Sequence, residues 1–386
     1  MVQPPMKVMC IFGTRPEVIK MAPVILELKR RIDQFECITC ATAQHRKMLD
    51  QALDVWNLQP DIDLNVMQDN QTPTQVMARV LTRLEPVLLE QRPEWILVQG
   101  DTTTVMASAI AAHHARIKIG HVEAGLRTAD KWNPFPEEAN RVITDAISDL
   151  CFAPTDRARQ ALKREGIPDD AIHVTGNTVI DALLEVAQRN WTPNNSSPVN
   201  RLPGSKKIIL VTAHRRENFG EPLQRICEAL TRIAHRSDVQ VVYPVHPNPK
   251  VRDTVVSRLA RHASITLLPP LNYLELVYLL QRCTLVLTDS GGLQEEAPSL
   301  GKPVLVMRET SERPEAIEAG TAALVGTGTD DIVSLVDELL DQPALYQRMA
   351  CQNNPYGDGQ AAVRIAEALL AYAERHEKLP MADLRT

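Results

Sequence analysis

Short apolar runs recur along the chain, separated by segments whose apolar positions repeat at helical spacing. Runs at 7–12, 36–42, 95–99, 117–121, 150–153 and 172–175 read as strands in the first half. Those at 207–212, 239–245, 264–268, 285–288 and 304–306 do so in the second. Between them, 18–31, 73–91, 222–235 and 274–282 carry the helical pattern. This alternation predicts an α/β fold of parallel sheets with helices on both faces. It pauses once, at 191–205, where WTPNNSSPVNRLPGS is rich in Pro, Asn and Ser and has no period. That stretch predicts a linker at 191–206 joining two Rossmann-like, doubly wound domains, 1–180 and 200–362. An alanine-rich helical segment at 360–378 follows.

Polar loops dense in functional groups stand at the strand ends, and that distribution points to an enzyme. Thr288-Asp289-Ser290-Gly291-Gly292-Leu293-Gln294-Glu295-Glu296 follows an apolar strand and opens a helix. Two glycines there admit close backbone approach, and a helix start offers free N–H groups to an anion. Glu296 is placed to accept from sugar hydroxyls, so the turn predicts a nucleotide site. Gly13-Thr14-Arg15-Pro16-Glu17 puts Arg15 at another helix start, either forked onto phosphate or paired with Glu17. Asp101, in QGDTTT, is either a helix cap or a base, with Thr102–Thr104 as alternative caps. Glu123, in HVEAGLRT, and Glu137, in PFPEEANR, add two carboxylates; Glu137 and Arg141 stand i, i+4, the spacing of a surface ion pair. In the second half, strand ends carry His214 beside Arg215 and Arg216, then His246, and finally Arg313 before a proline.

Composition narrows the classes. The 386 residues carry 44% hydrophobic and 23% charged residues, which suits a soluble two-domain protein. Few aromatics and a net charge of −6 leave no footprint for nucleic acid. No apolar stretch approaches a membrane span, and the run after Lys7 is too short for a signal core, so a cytoplasmic location is expected. The seven cysteines are irregularly spaced and suit reduced thiols; Cys37 and Cys40 lie on one predicted strand, facing opposite sides. No cluster has metal-ligand spacing. Neither the G-x-G-x-x-G fingerprint nor a P-loop occurs, which disfavours nicotinamide and ATP-driven chemistry.

Taken together, the loops resemble the non-hydrolysing UDP-N-acetylglucosamine 2-epimerase family. The matching words are GTRPEVIKMAPV, AQHRKMLDQ, QGDTTT, HVEAGLRT, PFPEEANR, TGNTVIDAL, TAHRREN, TDSGGLQEEAPSLGKPVLVMR, SERPEAIEAGT and NPYGDGQA, in order from residue 11 to about 361. The resemblance implies a GT-B-like architecture with the active site in the cleft between the domains and a C-terminal helix, 363–386, packing back on the first. It implies reversible inversion at C2 between UDP-GlcNAc and UDP-ManNAc through loss and re-addition of UDP, with no nicotinamide and no obligatory metal. A homodimer serving cell-surface polysaccharide synthesis is implied as well. On the matching positions, Arg15, His214, Ser290, Gly291 and Gly292 hold the diphosphate and Glu296 the ribose, with Arg313 also on the UDP side. Asp101, Glu123 and Glu137 are the acid/base groups, supported by Lys20, and His214 is counted with the catalytic residues. Gln44, Arg215 and His246 match a second UDP-GlcNAc site that activates some members. Lys47 and Asn70 stand where those members have Gln and Arg, and the missing arginine removes a phosphate partner. Ser311 stands where Thr is common.

The alternatives are a hydrolysing epimerase that releases ManNAc and UDP, a retaining GT-B glycosyltransferase sharing the nucleotide half, and a nucleotide-sugar sensor. Three carboxylate loops in the first domain favour the epimerase, since a transferase needs an acceptor groove there.

Overall fold

The computed structural model describes residues 4–42, 46–68, 71–202 and 204–377. The chain divides into two compact units, one formed by residues up to Ala182 together with those from Tyr356 onwards, the other by Leu183–Pro355. Both are doubly wound α/β units.

In the first unit, β1 (Met6–Phe12), β2 (Phe35–Ala41), β3 (Ile62–Asp63), β4 (Trp95–Gln99), β5 (Lys118–Val122), β6 (Leu150–Ala153) and β7 (Ile172–Val174) form one sheet. Its order is β3-β2-β1-β4-β5-β6-β7, and the pairings are parallel. Every residue of β4 is buried, which is why residues 95–98 run apolar without alternation: helices cover both faces. The helix Ala361–Glu377 packs against the helix Arg15–Arg30. Its Tyr372 meets Trp95 edge-on at 4.9 Å, and Lys118 lies over both rings. An aromatic pair of this kind adds ~0.5–1.5 kcal/mol beyond its area burial.

The second unit holds β8 (Lys207–Thr212), β9 (Val239–Pro244), β10 (Ile265–Leu268), β11 (Cys283–Thr288), β12 (Val304–Val306) and β13 (Ala322–Leu324). Its order is β10-β9-β8-β11-β12-β13, again parallel. The segment 191–202 belongs to this unit and contains a short 3-10 turn, Pro198–Arg201.

Strand order reverses between β1 and β4 in one sheet and between β8 and β11 in the other. The crevice beyond the carboxyl ends at such a reversal is where open α/β sheets bind ligands. The cysteines are free thiols. Cys37 meets Cys10 on the neighbouring strand, and burial pushes the Cys40 thiol up to about 12, so the C-x-x-C spacing is no redox pair. Among the described residues no helix is long and apolar enough to cross a membrane.

Candidate functional site

In the first unit the loops after β1, β4, β5 and β7 are cross-tied through buried carboxylates. Glu17 accepts from the N–H groups of Gly13 (2.5 Å) and Thr14 (3.0 Å) and from the Thr102 hydroxyl (2.6 Å). It thereby joins the loop after β1 to the loop after β4. Burial pushes the Glu17 carboxyl up, and those three donors only partly offset it. Arg15 is exposed and does not pair with Glu17; among the described residues no partner holds it.

One turn further on, Lys20 donates to Glu123 at 2.5 Å. The same carboxylate accepts from Asn177 (2.9 Å) and from Gln99. Glu123 lies just past β5 with φ +68, a left-handed conformation that costs a non-glycine residue about 1–3 kcal/mol. Such strain persists where surroundings over-determine it, and three donors from β4 and two helix-start segments do so here.

Thr102, not Asp101, caps the helix Thr103–His114. Asp101 instead accepts twice from Arg141, at 2.6 and 3.0 Å, and its carbonyl accepts from Asn140 (2.8 Å). The helix Glu137–Ala146 is thus anchored at the Asp101 loop. Arg141 spends its remaining contact on the buried Glu138 (3.0 Å) rather than on Glu137. Glu137, first residue of that helix, has no side-chain hydrogen bond or ion pair among the described residues. The three carboxylates therefore sit in three different settings: hydrogen-bonded from several sides, clamped by an arginine, and unpaired.

In the second unit Asp289, fully buried at the end of β11, organises the loop after β8. Its Oδ2 accepts from the N–H groups of His214 and Arg215, both at 2.8 Å, and from Asn218 (3.0 Å). Its Oδ1 has no hydrogen-bond partner and lies 3.5 Å from His214 Nδ1. His214 stacks on His246 at 5.3 Å. Burial holds the His214 pKa below the usual histidine range; His246 and Arg215 lower it further, against the pull of Asp289.

Ser290 caps the helix Gly291–Glu296 by position, but its hydroxyl makes no cap bond. A Cβ added at Gly291 would meet Arg313 at 3.7 Å and Arg215 at 3.8 Å, so two guanidinium groups converge over this glycine. Arg313 is also paired with the buried Glu295. Burial raises the Glu312 carboxyl, but Arg215, Arg308 and Arg313 outweigh it and hold it low. Glu296 is buried, accepts from the Tyr273 hydroxyl (3.3 Å) and lies 3.5 Å from a Cβ at Gly292. The second-site candidates Arg215 and His246 lie at the ends of β8 and β9, beside His214; Gln44 and Asn70 fall outside the described residues. Of the participants to which the sequence assigns no site role of this kind, Glu17 has a signal, its capping-box spacing from Thr14. Gln99 and Asn177 have none that separates them from ordinary polar residues, and nothing local marks the side-chain contacts of Asp289 and Tyr273.

The family model described as UDP-N-acetylglucosamine 2-epimerase matches residues 27–370. A UDP-N-acetylglucosamine 2-epimerase of Salmonella typhimurium is 52% identical over 373 residues, 95% of this chain and 99% of the relative. A crystal structure of a putative UDP-N-acetylglucosamine 2-epimerase from Listeria monocytogenes, 44% identical, superposes with a TM-score of 0.90, covering 96% of this chain and 97% of that one. The enzyme from Neisseria meningitidis, solved bound to UDP-GlcNAc, is also 44% identical, with a TM-score of 0.86 over 95% of this chain and all of that chain.

Proposed function

The chain belongs to the UDP-N-acetylglucosamine 2-epimerase family, and from that premise we propose that it interconverts UDP-GlcNAc and UDP-ManNAc by removing UDP and adding it back. The proton on C2 of a sugar is not acidic. Breaking the C1–O bond sends its electron pair to the UDP oxygen and leaves positive character at C1. A base then takes the C2 proton, the C–H electrons close a C1=C2 bond, and a 2-acetamidoglucal remains beside UDP. Return of the UDP oxygen to C1, with a proton delivered to the opposite face of C2, gives the epimer. The sequence needs retained UDP, compensation of its added charge, and two differently tuned acid/base groups.

The observation that carries this reading is the trio of carboxylates in the first unit, each in its own electrostatic setting. Asp101, Glu123 and Glu137 are assigned as acid/base groups, with Lys20 as the counter-charge of Glu123. In the second unit His214, Ser290, Gly291, Gly292 and Arg313 are assigned to the diphosphate and Glu296 to the ribose, with Arg15 of the first unit also on phosphate. Convergence of Arg215 and Arg313 over Gly291 supports the anion site. UDP-GlcNAc bound to the Neisseria relative supports the ligand class.

Anion-exchange chromatography of UDP-GlcNAc incubated with the protein tests the assignment. A second UDP-hexosamine at constant total nucleotide sugar is expected. Free UDP with free ManNAc would mean the hydrolysing reaction, and an unchanged profile would overturn the reading.

A further inference from the structure

We propose that His121 is a positioning residue which, as an imidazolium paired with Asp145, locks the Asp101 loop and the Glu123 turn into one fixed relation. The inference rests on the reading of Asp101 and Glu123 as acid/base groups.

His121 lies on β5, two residues before Glu123, and is fully buried. Its Nδ1 is 2.5 Å from Asp145 Oδ1, and its Nε2 is 2.8 Å from the carbonyl oxygen of Gly100. A carbonyl cannot donate. Asp145 is ionised, because its other oxygen accepts from Arg127 (2.7 Å) and from the N–H of Gly125 (3.2 Å). Both ring nitrogens therefore face acceptors. A neutral ring would aim a lone pair at one of them, so the geometry demands two N–H groups. The charged neighbours close the account. Arg127 forks onto Glu165 at 2.7 and 2.6 Å, so His121, Asp145, Arg127 and Glu165 form a neutral chain of alternating charge. Burial works against the cation, but the Asp145 charge and hydrogen bond outweigh it and the ring titrates above the ordinary histidine range.

What the pair holds is backbone. Gly100 immediately precedes Asp101, so the Nε2 bond fixes the approach to that loop. Gly125 follows Glu123 by two residues and has φ +86; a Cβ there would come within 2.5 Å of the Ala158 carbonyl. This turn, with Glu123 itself left-handed, needs an external restraint, and Asp145 supplies it through the Gly125 N–H. One buried ion pair thus spans both loops with charge-assisted bonds. Having no exposed atom, His121 does not touch substrate, and its effect passes through Asp101 and Glu123.

Two measurements test this together. Long-range proton–nitrogen NMR of the imidazole in 15N-labelled wild-type protein at pH 8 is expected to show both His121 nitrogens protonated. A single neutral tautomer overturns the proposal. His121→Gln keeps a donor reaching toward Gly100 and His121→Asn one toward Asp145, each losing the other bond. Both variants, and Asp145→Asn, are expected to lose kcat by ~10- to 100-fold, the scale of a slightly misplaced catalytic group. KM and UDP affinity should stay within about twofold. Active wild type with unaffected variants overturns the role of His121. Wild type that leaves UDP-GlcNAc untouched would instead overturn the acid/base reading beneath it. If the variants do not fold, the charge state in the wild type decides.

Discussion

Replacing Gly291 by alanine separates the proposed anion site from the stability of the fold. Gly291 is the first residue of its helix, and its φ is not in the left-handed region. An added Cβ would meet nothing closer than the Arg313 guanidinium at 3.7 Å, ordinary van der Waals contact. In the free protein the substitution is therefore expected to be neutral or to stabilise by ~0.4–1 kcal/mol, through lost freedom of the unfolded chain. With UDP bound, the same methyl group would occupy space between the backbone N–H and two arginines where phosphate oxygens are assigned. Losing one charge-assisted hydrogen bond there costs about 1.5–3 kcal/mol, a Kd weaker by roughly 10- to 150-fold. Differential scanning calorimetry gives the first quantity and isothermal titration with UDP the second. An unchanged Kd for UDP in Gly291→Ala, with the fold intact, would refute the assignment of this turn to the diphosphate.

Asp101→Asn and Glu123→Gln should each cut turnover by ~10²-fold or more, the range of acid/base contributions, while UDP affinity by titration stays within about twofold; retained turnover in either variant removes it from the acid/base set. Lys20→Met removes the ammonium that donates to the buried Glu123, and thermal or denaturant melts should show a loss of ~1–3 kcal/mol; an unchanged midpoint would mean the pair contributes nothing. Burial pushes Asp181 up to about 6, even though it accepts from the N–H of Ala362 at the start of the last helix. A carboxyl raised in the folded state stabilises at low pH, and that contribution fades as pH rises from about 4 through 6. The stability of Asp181→Asn relative to wild type should therefore rise between pH 4 and 7.5, by up to ~2–3 kcal/mol. A pH-independent difference in melts would contradict the shifted carboxyl.

Strands buried on both faces were legible because they carry short apolar runs without alternation, as residues 95–98 do in β4. β3, two residues long, and β13, Ala-Ala-Leu, carry too little pattern to stand out, and both sit at sheet edges. Among the site residues, position was legible and partnership was not. Arg141 stands four residues after Glu137 but pairs with Asp101, 40 residues away, because Asn140 and Arg141 together clamp that loop. Lys20 and Glu123 are 103 residues apart and meet because β1 and β5 flank β4 in the sheet. Asp289 reads in sequence as part of a glycine turn; its role of holding two backbone N–H groups of another loop follows from β8 and β11 being neighbours. Tertiary pairing of this kind leaves no local trace in composition or spacing.

The central claim, inversion at C2 through loss and return of UDP, is tested most directly by proton NMR of UDP-GlcNAc with the protein in D₂O. UDP-ManNAc is expected to appear alongside UDP-GlcNAc, with deuterium entering C2 of both and little free UDP. Epimerisation with the original C2 hydrogen retained in the product would contradict it.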